Sequence, residues 1–223
     1  MTELVLRNQS ILDQLEYVKS AIVNNQNLFT PDLMMYHSED VFDNSEKYLS
    51  EDYLKKHMAD YKHEGFPVDH LSIPVENVLN RYPDNKELRD VYDFSRNKIV
   101  TSMGANKNAV FLYYPKGGFV GWHTNQNNSG YQFIFSWSEK GDGYFQYYDK
   151  KKQEIVRLED KSGWQARYYH FGKDEPDHCW HSAYTNVPRI TICVLFRWWD
   201  KPHLKDQILA MKDQLIEDIE SEI

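Results

Sequence analysis

The feature that most constrains this fold is a change of hydrophobic period near Gly104. Before it, apolar residues recur at helical spacing. Ile11, Leu12, Leu15, Val18, Ile22 and Val23 do so between Ser10 and about Asn25, and Tyr48, Leu49, Tyr53, Leu54, Met58 and Tyr61 follow Ser45. Leu88, Val91, Tyr92, Phe94 and Ile99 form a third set between about Asn85 and Met103. Such spacing gathers each set on one helix face. Thr30-Pro31-Asp32 and Gly65-Phe66-Pro67 punctuate the pattern, Ser45 is placed to cap the second helix, and Gly104 is placed to stop the third.

After Gly104 the runs AVFLYY, YQFIFSW, GYFQYYD, EIVRL, ARYYHF and RITICVLFRWW are short, aromatic or β-branched, and separated by turn residues. They predict six or more strands. Strands without intervening helices fit an antiparallel sandwich, barrel or jelly roll better than alternating strand and helix units. From Asp206 to Ile223 an acidic amphipathic helix repeats Ile208, Met211, Leu215, Ile216 and Ile219. Packing on the sheet, or a homodimer contact, would bury that same stripe. The expectation is one α+β domain over 1–223. Residues 1–104 are mainly helical support, 105–200 the strand core and 201–223 a C-terminal helix.

Composition narrows the function classes. With 223 residues, 41% hydrophobic and 27% charged, the chain can build a core, which excludes collagen-like and disordered readings. The net charge of -8 gives no general attraction to phosphate backbones or anionic membranes, so nucleic acid is a disfavoured partner. Two cysteines, Cys179 and Cys193, are too few for a disulfide framework. The start MTELVLRNQS lacks a signal-peptide pattern, and no apolar run is long enough to span a membrane. The cytoplasm is the expected compartment. There is no GxGxxG, G-K-[ST] or G-x-S-x-G, so dinucleotide, P-loop and hydrolase readings have no support. The basic run Lys150 to Lys152 reads as a solvated hairpin turn.

The stretch from Tyr113 to Asn125 reads as a strand, a Gly-containing turn, and a strand ending in His123-x-Asn125. Side chains two apart on a strand share a face, so His123 and Asn125 can converge while Thr124 turns away. A second imidazole from an opposing strand would complete a facial set of three. Two imidazoles and an oxygen, with other positions open, suit Fe(II). Downstream, His178-Cys179-Trp180-His181-Ser182 precedes Arg189-Ile190-Thr191.

The order His123-x-Asn125, a gap of strands, His181, and then Arg189-x-Thr191 resembles the 2-oxoglutarate and Fe(II)-dependent oxygenases, particularly their prolyl-hydroxylase-like branch. The likeness covers about Ala109 to Trp198. It includes Y-x-P-x-G-G-F before the first histidine, the Gly141-Asp142-Gly143 turn, and His181-Ser182 ahead of the Arg189 strand. It implies a double-stranded β-helix, a cupin-like jelly roll. It further implies His123, Asn125 and His181 as iron ligands, Arg189 with Thr191 as the clamp on the far carboxylate of 2-oxoglutarate, and O2 as co-reactant. Arg suits that clamp because its planar fork donates two hydrogen bonds and stays charged when desolvated. Tyr114, or else Tyr131, would also touch 2-oxoglutarate, and Trp122, Trp180 and Phe133 could line the pocket. The implied activity is dioxygenation that hydroxylates a peptidyl or small-molecule substrate.

Asn125 stands where the family has Asp or Glu. An amide oxygen can ligate a cation but brings no charge. Three accounts follow: Asn125 is a ligand, a carboxylate elsewhere such as Asp142 replaces it, or the fold persists as a binding protein without oxidation chemistry. A halide-binding variant is a fourth, disfavoured because Asn fills the position. His178 is the rival of His181 as distal ligand. Zinc at His178-Cys179-x-His181 is a poor reading without a C-x-x-C pair.

Overall fold

The computed structural model describes residues 1–34, 40–60, 69–172, 178–199 and 201–222. Helix α1 (Gln9–Asn24) is capped by Asn8, whose side chain accepts the Ile11 amide, and it buries Ile11, Leu15, Val18, Ala21 and Ile22. A short helix, α2 (Asp40–Asp43), was not predicted, and the second predicted helix is two pieces, α3 (Ser45–Leu49) and α4 (Glu51–Asp60). Ser45 is the first residue of α3 rather than its cap. Ser50 makes the break, since its hydroxyl donates to the Lys47 carbonyl and accepts the Tyr53 amide. Such local side-chain bonds compete with helix continuation. Tyr61 and Gly65-Phe66-Pro67 lie outside the described residues.

Helix α5 (Val75–Arg81) was not predicted. Helix α6 (Lys86–Asp93) is capped by Asn85 and runs on as a π-helical turn, Phe94–Ile99, into α7 (Val100–Ser102) before Gly104. At the other end of the chain, α8 (Lys205–Glu220) buries Ile208, Leu215 and Ile219 in the same core as α1, while Met211 stays exposed. The chain itself therefore covers most of that stripe; Ile223 lies outside the described residues. No helix among the described residues is long and apolar enough to cross a membrane.

Eleven strands among the described residues form two antiparallel sheets. They are β1 (Thr2–Leu4), β2 (His70–Leu71), β3 (Ile73–Pro74), β4 (Lys107–Tyr114), β5 (Phe119–His123), β6 (Gly130–Ser138), β7 (Gly143–Asp149), β8 (Glu154–Glu159), β9 (Gly163–Phe171), β10 (His181–Thr185) and β11 (Arg189–Phe196). The major sheet runs β1-β9-β6-β11-β4-β3 and the minor sheet β2-β5-β10-β7-β8. This is an α+β fold with a double-stranded β-helix, or cupin-like jelly roll, at its centre.

The pleat of the major sheet separates two environments. Ile190, Ile192, Val194 and Phe196 of β11 and Phe133 and Phe135 of β6 pack outward with Leu15, Val18 and Val91 from the helices. The alternate residues Arg189, Thr191 and Cys193, with Gln132 and Ile134, line an internal cavity. Both faces are covered, so polar residues inside these strands must find partners or a ligand.

Candidate active site

His123 ends β5 and His181 opens β10, and the two are paired across the ladder. Their ring centroids lie 3.9 Å apart with planes at 48°. Each ring binds a backbone carbonyl two residues earlier, His123 Nδ1 to Gly121 O and His181 Nδ1 to Cys179 O, both at 2.9 Å. A carbonyl only accepts, so Nδ1 carries a proton in both rings, which leaves Nε2 as the nitrogen that could face a metal. This carbonyl tie is how proteins commonly orient a metal-binding imidazole.

His123 owes its inward position to an irregularity. Val120 also lines the cavity, and strict alternation from it would carry His123 to the other face. The β5–β10 register slips between the His181–His123 and Ala183–Val120 pairs, restoring His123 to the interior. Gly121 sits inside the slip, its N–H bound to Asp69 O at 2.8 Å, and a Cβ there would meet the same carbonyl at 2.8 Å. Phe145 and Phe171 flank His181, with centroids at 5.5 and 4.7 Å.

Asn125 departs from expectation. Strand β5 ends at His123, and Asn125 lies in the following turn with φ -97 and ψ 38. It still reaches the site, but by its amino group: Nδ2 lies 3.4 Å from His181 Nε2 and donates to Gln132 Oε1 at 3.3 Å. Gln132 fixes this orientation. Its own Nε2 donates to Asn128 O at 2.7 Å, and the Cys193 thiol donates to its Oε1 at 3.2 Å. Burial pushes the Cys193 thiol well up, so the S–H is retained.

At the other end of the cavity stands Arg189, 2% exposed. Its Nη2 donates to Ser136 Oγ at 3.2 Å, its Nη1 reaches Tyr144 O at 3.5 Å, and its guanidinium lies 5.7 Å from the Tyr114 ring. Burial is the main cause that pushes the Tyr114 phenol up to about 12, with Arg189 and a hydrogen bond from Thr191 opposing it, so the phenol is neutral at neutral pH. Behind Arg189 lies Asp160, whose Oδ2 is 3.5 Å from Arg189 Nε and whose Oδ1 is 3.2 Å from Arg167 Nη1.

One cavity of about 60 Å3 joins these groups and is lined by Tyr114, His123, Asn125, Gln132, His181, Arg189, Thr191 and Cys193 with apolar neighbours. Roomier cavities of about 490 and 260 Å3 lie elsewhere and include none of His123, His181 and Arg189 in their linings. His178 lines the 490 Å3 cavity with Tyr147 and Tyr169, not the one that holds His181.

Several candidates are placed elsewhere. Tyr131 packs against Trp198 and His170. Trp122 donates to Leu49 O and clusters with Trp180 and Leu54, and Phe133 packs on Phe196 and Tyr168. Asp142 is exposed and accepts from Asn186, so it supplies no carboxylate to the imidazoles. Among the described residues no group of three or more His, Cys, Asp and Glu is placed to hold a metal ion.

Gln132, Ser136, Asp160 and Arg167 were missed. The signal existed in part: Gln132 and Ser136 are polar at even spacing within an aromatic strand, and Arg167 is a charge inside another. The donor chemistry fits a divalent metal through two buried imidazoles. The third protein group, Asn125, offers N–H rather than a carboxylate, so charge compensation would have to come from a bound anion.

No family model and no curated protein matches the sequence. Solved structures to which the chain shows similarity include a Pseudomonas putida prolyl-4-hydroxylase, at 13% identity and TM-score 0.35 over 81% of this chain and 98% of that one. A rice dioxygenase for auxin oxidation matches at 14% identity and TM-score 0.37, over 82% and 68%. The Drosophila melanogaster CENP-C cupin domain matches at 7% identity and TM-score 0.28, over 38% of this chain and 57% of that chain, so less than two thirds of its length is spanned.

Proposed function

We propose that this protein is a 2-oxoglutarate- and Fe(II)-dependent dioxygenase that hydroxylates a peptidyl or small-molecule substrate. The observation that carries the reading is one cavity with His123 and His181 at one end and buried Arg189, with Tyr114 and Thr191, at the other. The imidazoles would hold the metal through Nε2, and Arg189 would take the far carboxylate of 2-oxoglutarate. Iron, 2-oxoglutarate and O2 would supply the oxidising chemistry, yielding succinate and carbon dioxide. The protein contributes orientation and a dry wall: Phe145 and Phe171 shield His181, and the two carbonyl ties keep the rings from turning. The test is anaerobic Fe(II) titration with and without 2-oxoglutarate, followed by O2 and a succinate assay. A charge-transfer band that requires both components, then succinate, is the expected result; absence of metal binding in either condition overturns the reading.

One observation favours a second reading, a jelly-roll binding protein without turnover. The Asn125 amino group is directed at His181 Nε2, closing a hydrogen-bond chain where a metal would sit. Under that reading a small dicarboxylate still binds at Arg189, and succinate never forms from 2-oxoglutarate.

A further inference from the structure

Arg189 belongs to a buried charge cluster whose other members do not line the cavity. Asp160 and both guanidiniums are sealed, with side chains 0% and 2% exposed. One carboxylate therefore serves two cations, and Glu3, 46% exposed, approaches Arg167 Nε from the rim at 3.5 Å. The sharing is unequal. Asp160 Oδ1 accepts a hydrogen bond from Arg167 Nη1 at 3.2 Å, whereas Asp160 Oδ2 and Arg189 Nε face each other at 3.5 Å and make no hydrogen bond. Arg167 is held for this by two more acceptors, Glu159 O at 3.1 Å and Gln165 Oε1 at 3.2 Å. Burial first, and then Arg189 beside it, lower the Arg167 pKa, the signature of two cations crowded in a dry site.

We propose that Arg167 is a positioning residue for the cavity: by drawing the Asp160 carboxylate to itself, it leaves Arg189 short of a counterion and so able to take a ligand carboxylate. This rests on the proposed carboxylate site at Arg189. Without Arg167, Asp160 and Arg189 become a matched buried pair, and an incoming carboxylate must compete with Asp160 at short range. With neither Arg167 nor Asp160, Arg189 again lacks a counterion.

The test is calorimetric titration of 2-oxoglutarate into Mn(II)-loaded protein, which reports binding without turnover, with thermal melts to verify folding. Arg167→Gln is expected to weaken binding on the order of tenfold. Adding Asp160→Asn to that variant is expected to restore affinity to within about threefold of the original protein, a rescue that a merely structural Arg167 would not show. Unchanged affinity in Arg167→Gln, or a double variant as weak as the single, overturns the inference and leaves the carboxylate site standing. Failure of the unsubstituted protein to bind 2-oxoglutarate overturns the site and the inference together. Should Arg167→Gln not fold, Arg167→Lys keeps the charge but gives up the fork. It is expected to weaken binding and to be rescued by Asp160→Asn, and lack of either effect counts against the inference.

Discussion

Asn125 presents its amino group, not its carbonyl oxygen, to His181: Nδ2 stands 3.4 Å from Nε2, held by Gln132 at 3.3 Å. The position that a metal-binding carboxylate would occupy is thus filled by a hydrogen-bond donor of similar shape.

Asn125→Asp would exchange that donor for a charged acceptor beside the two imidazoles. Mn(II) or Fe(II) affinity is expected to rise about tenfold or more, because two neutral imidazoles leave the ion's charge uncompensated. Titration of the metal against both proteins decides it. Unchanged affinity would place residue 125 outside the metal shell.

Arg189→Ala removes the guanidinium at the carboxylate end. Asp160 keeps its hydrogen bond to Arg167 at 3.2 Å, so the variant is expected to fold. Its half-saturating 2-oxoglutarate concentration should rise by roughly two orders of magnitude, the usual effect of truncating one side of a desolvated ion pair. An unaltered requirement would move the cosubstrate away from Arg189.

His70 gives the fold a pH dependence. Burial lowers its pKa from 6.5 to about 4, so the folded protein holds it neutral where an unfolded chain would protonate it. The resulting stability is fully present above pH 6.5 and is lost as pH falls towards about 4. The loss amounts to about 3 kcal/mol. Urea unfolding at pH 7 and pH 4.5 should show a steep decline that flattens in His70→Asn; equal declines would assign the acid sensitivity to other groups.

Gly143→Ala tests how closely the charge cluster is packed. A Cβ there would meet Tyr184 O at 2.7 Å and Asp160 Oδ2 at 2.9 Å. The first contact is backbone in the neighbouring strand β10, so the cost is expected at about 1–3 kcal/mol in urea unfolding. A stability equal to that of the original protein would mean that β7 and β10 separate freely at this point.

The jelly roll was legible because its cause is local. Short aromatic and β-branched runs cannot sustain a helix face, and GYFQYYD matches β7 residue for residue. The helical supports were less so: α5 begins at Val75 directly after Pro74, and the serine that divides α3 from α4 interrupts an otherwise continuous stripe. Within the site, the structure brings His123, His181, Arg189, Thr191 and Tyr114 to the lining of one cavity. The facing of Asn125 was not legible, since period-two reasoning carried the strand through to Asn125, whereas β5 stops at His123.

By itself, then, the sequence determined which residues could carry chemistry and that strands would hold them, because propensity and periodicity act over a few neighbouring residues. Tertiary structure alone decided which way the Asn125 amide points, which of two nearby histidines joins His123, and that Arg189 shares one carboxylate with Arg167. Those outcomes depend on groups brought together by ladder pairing, such as Gln132 from β6, Asp160 from the β8–β9 turn and Arg167 from β9. In a buried cavity each polar group must settle its hydrogen bonds against such distant partners, and that constraint has no local trace in the chain.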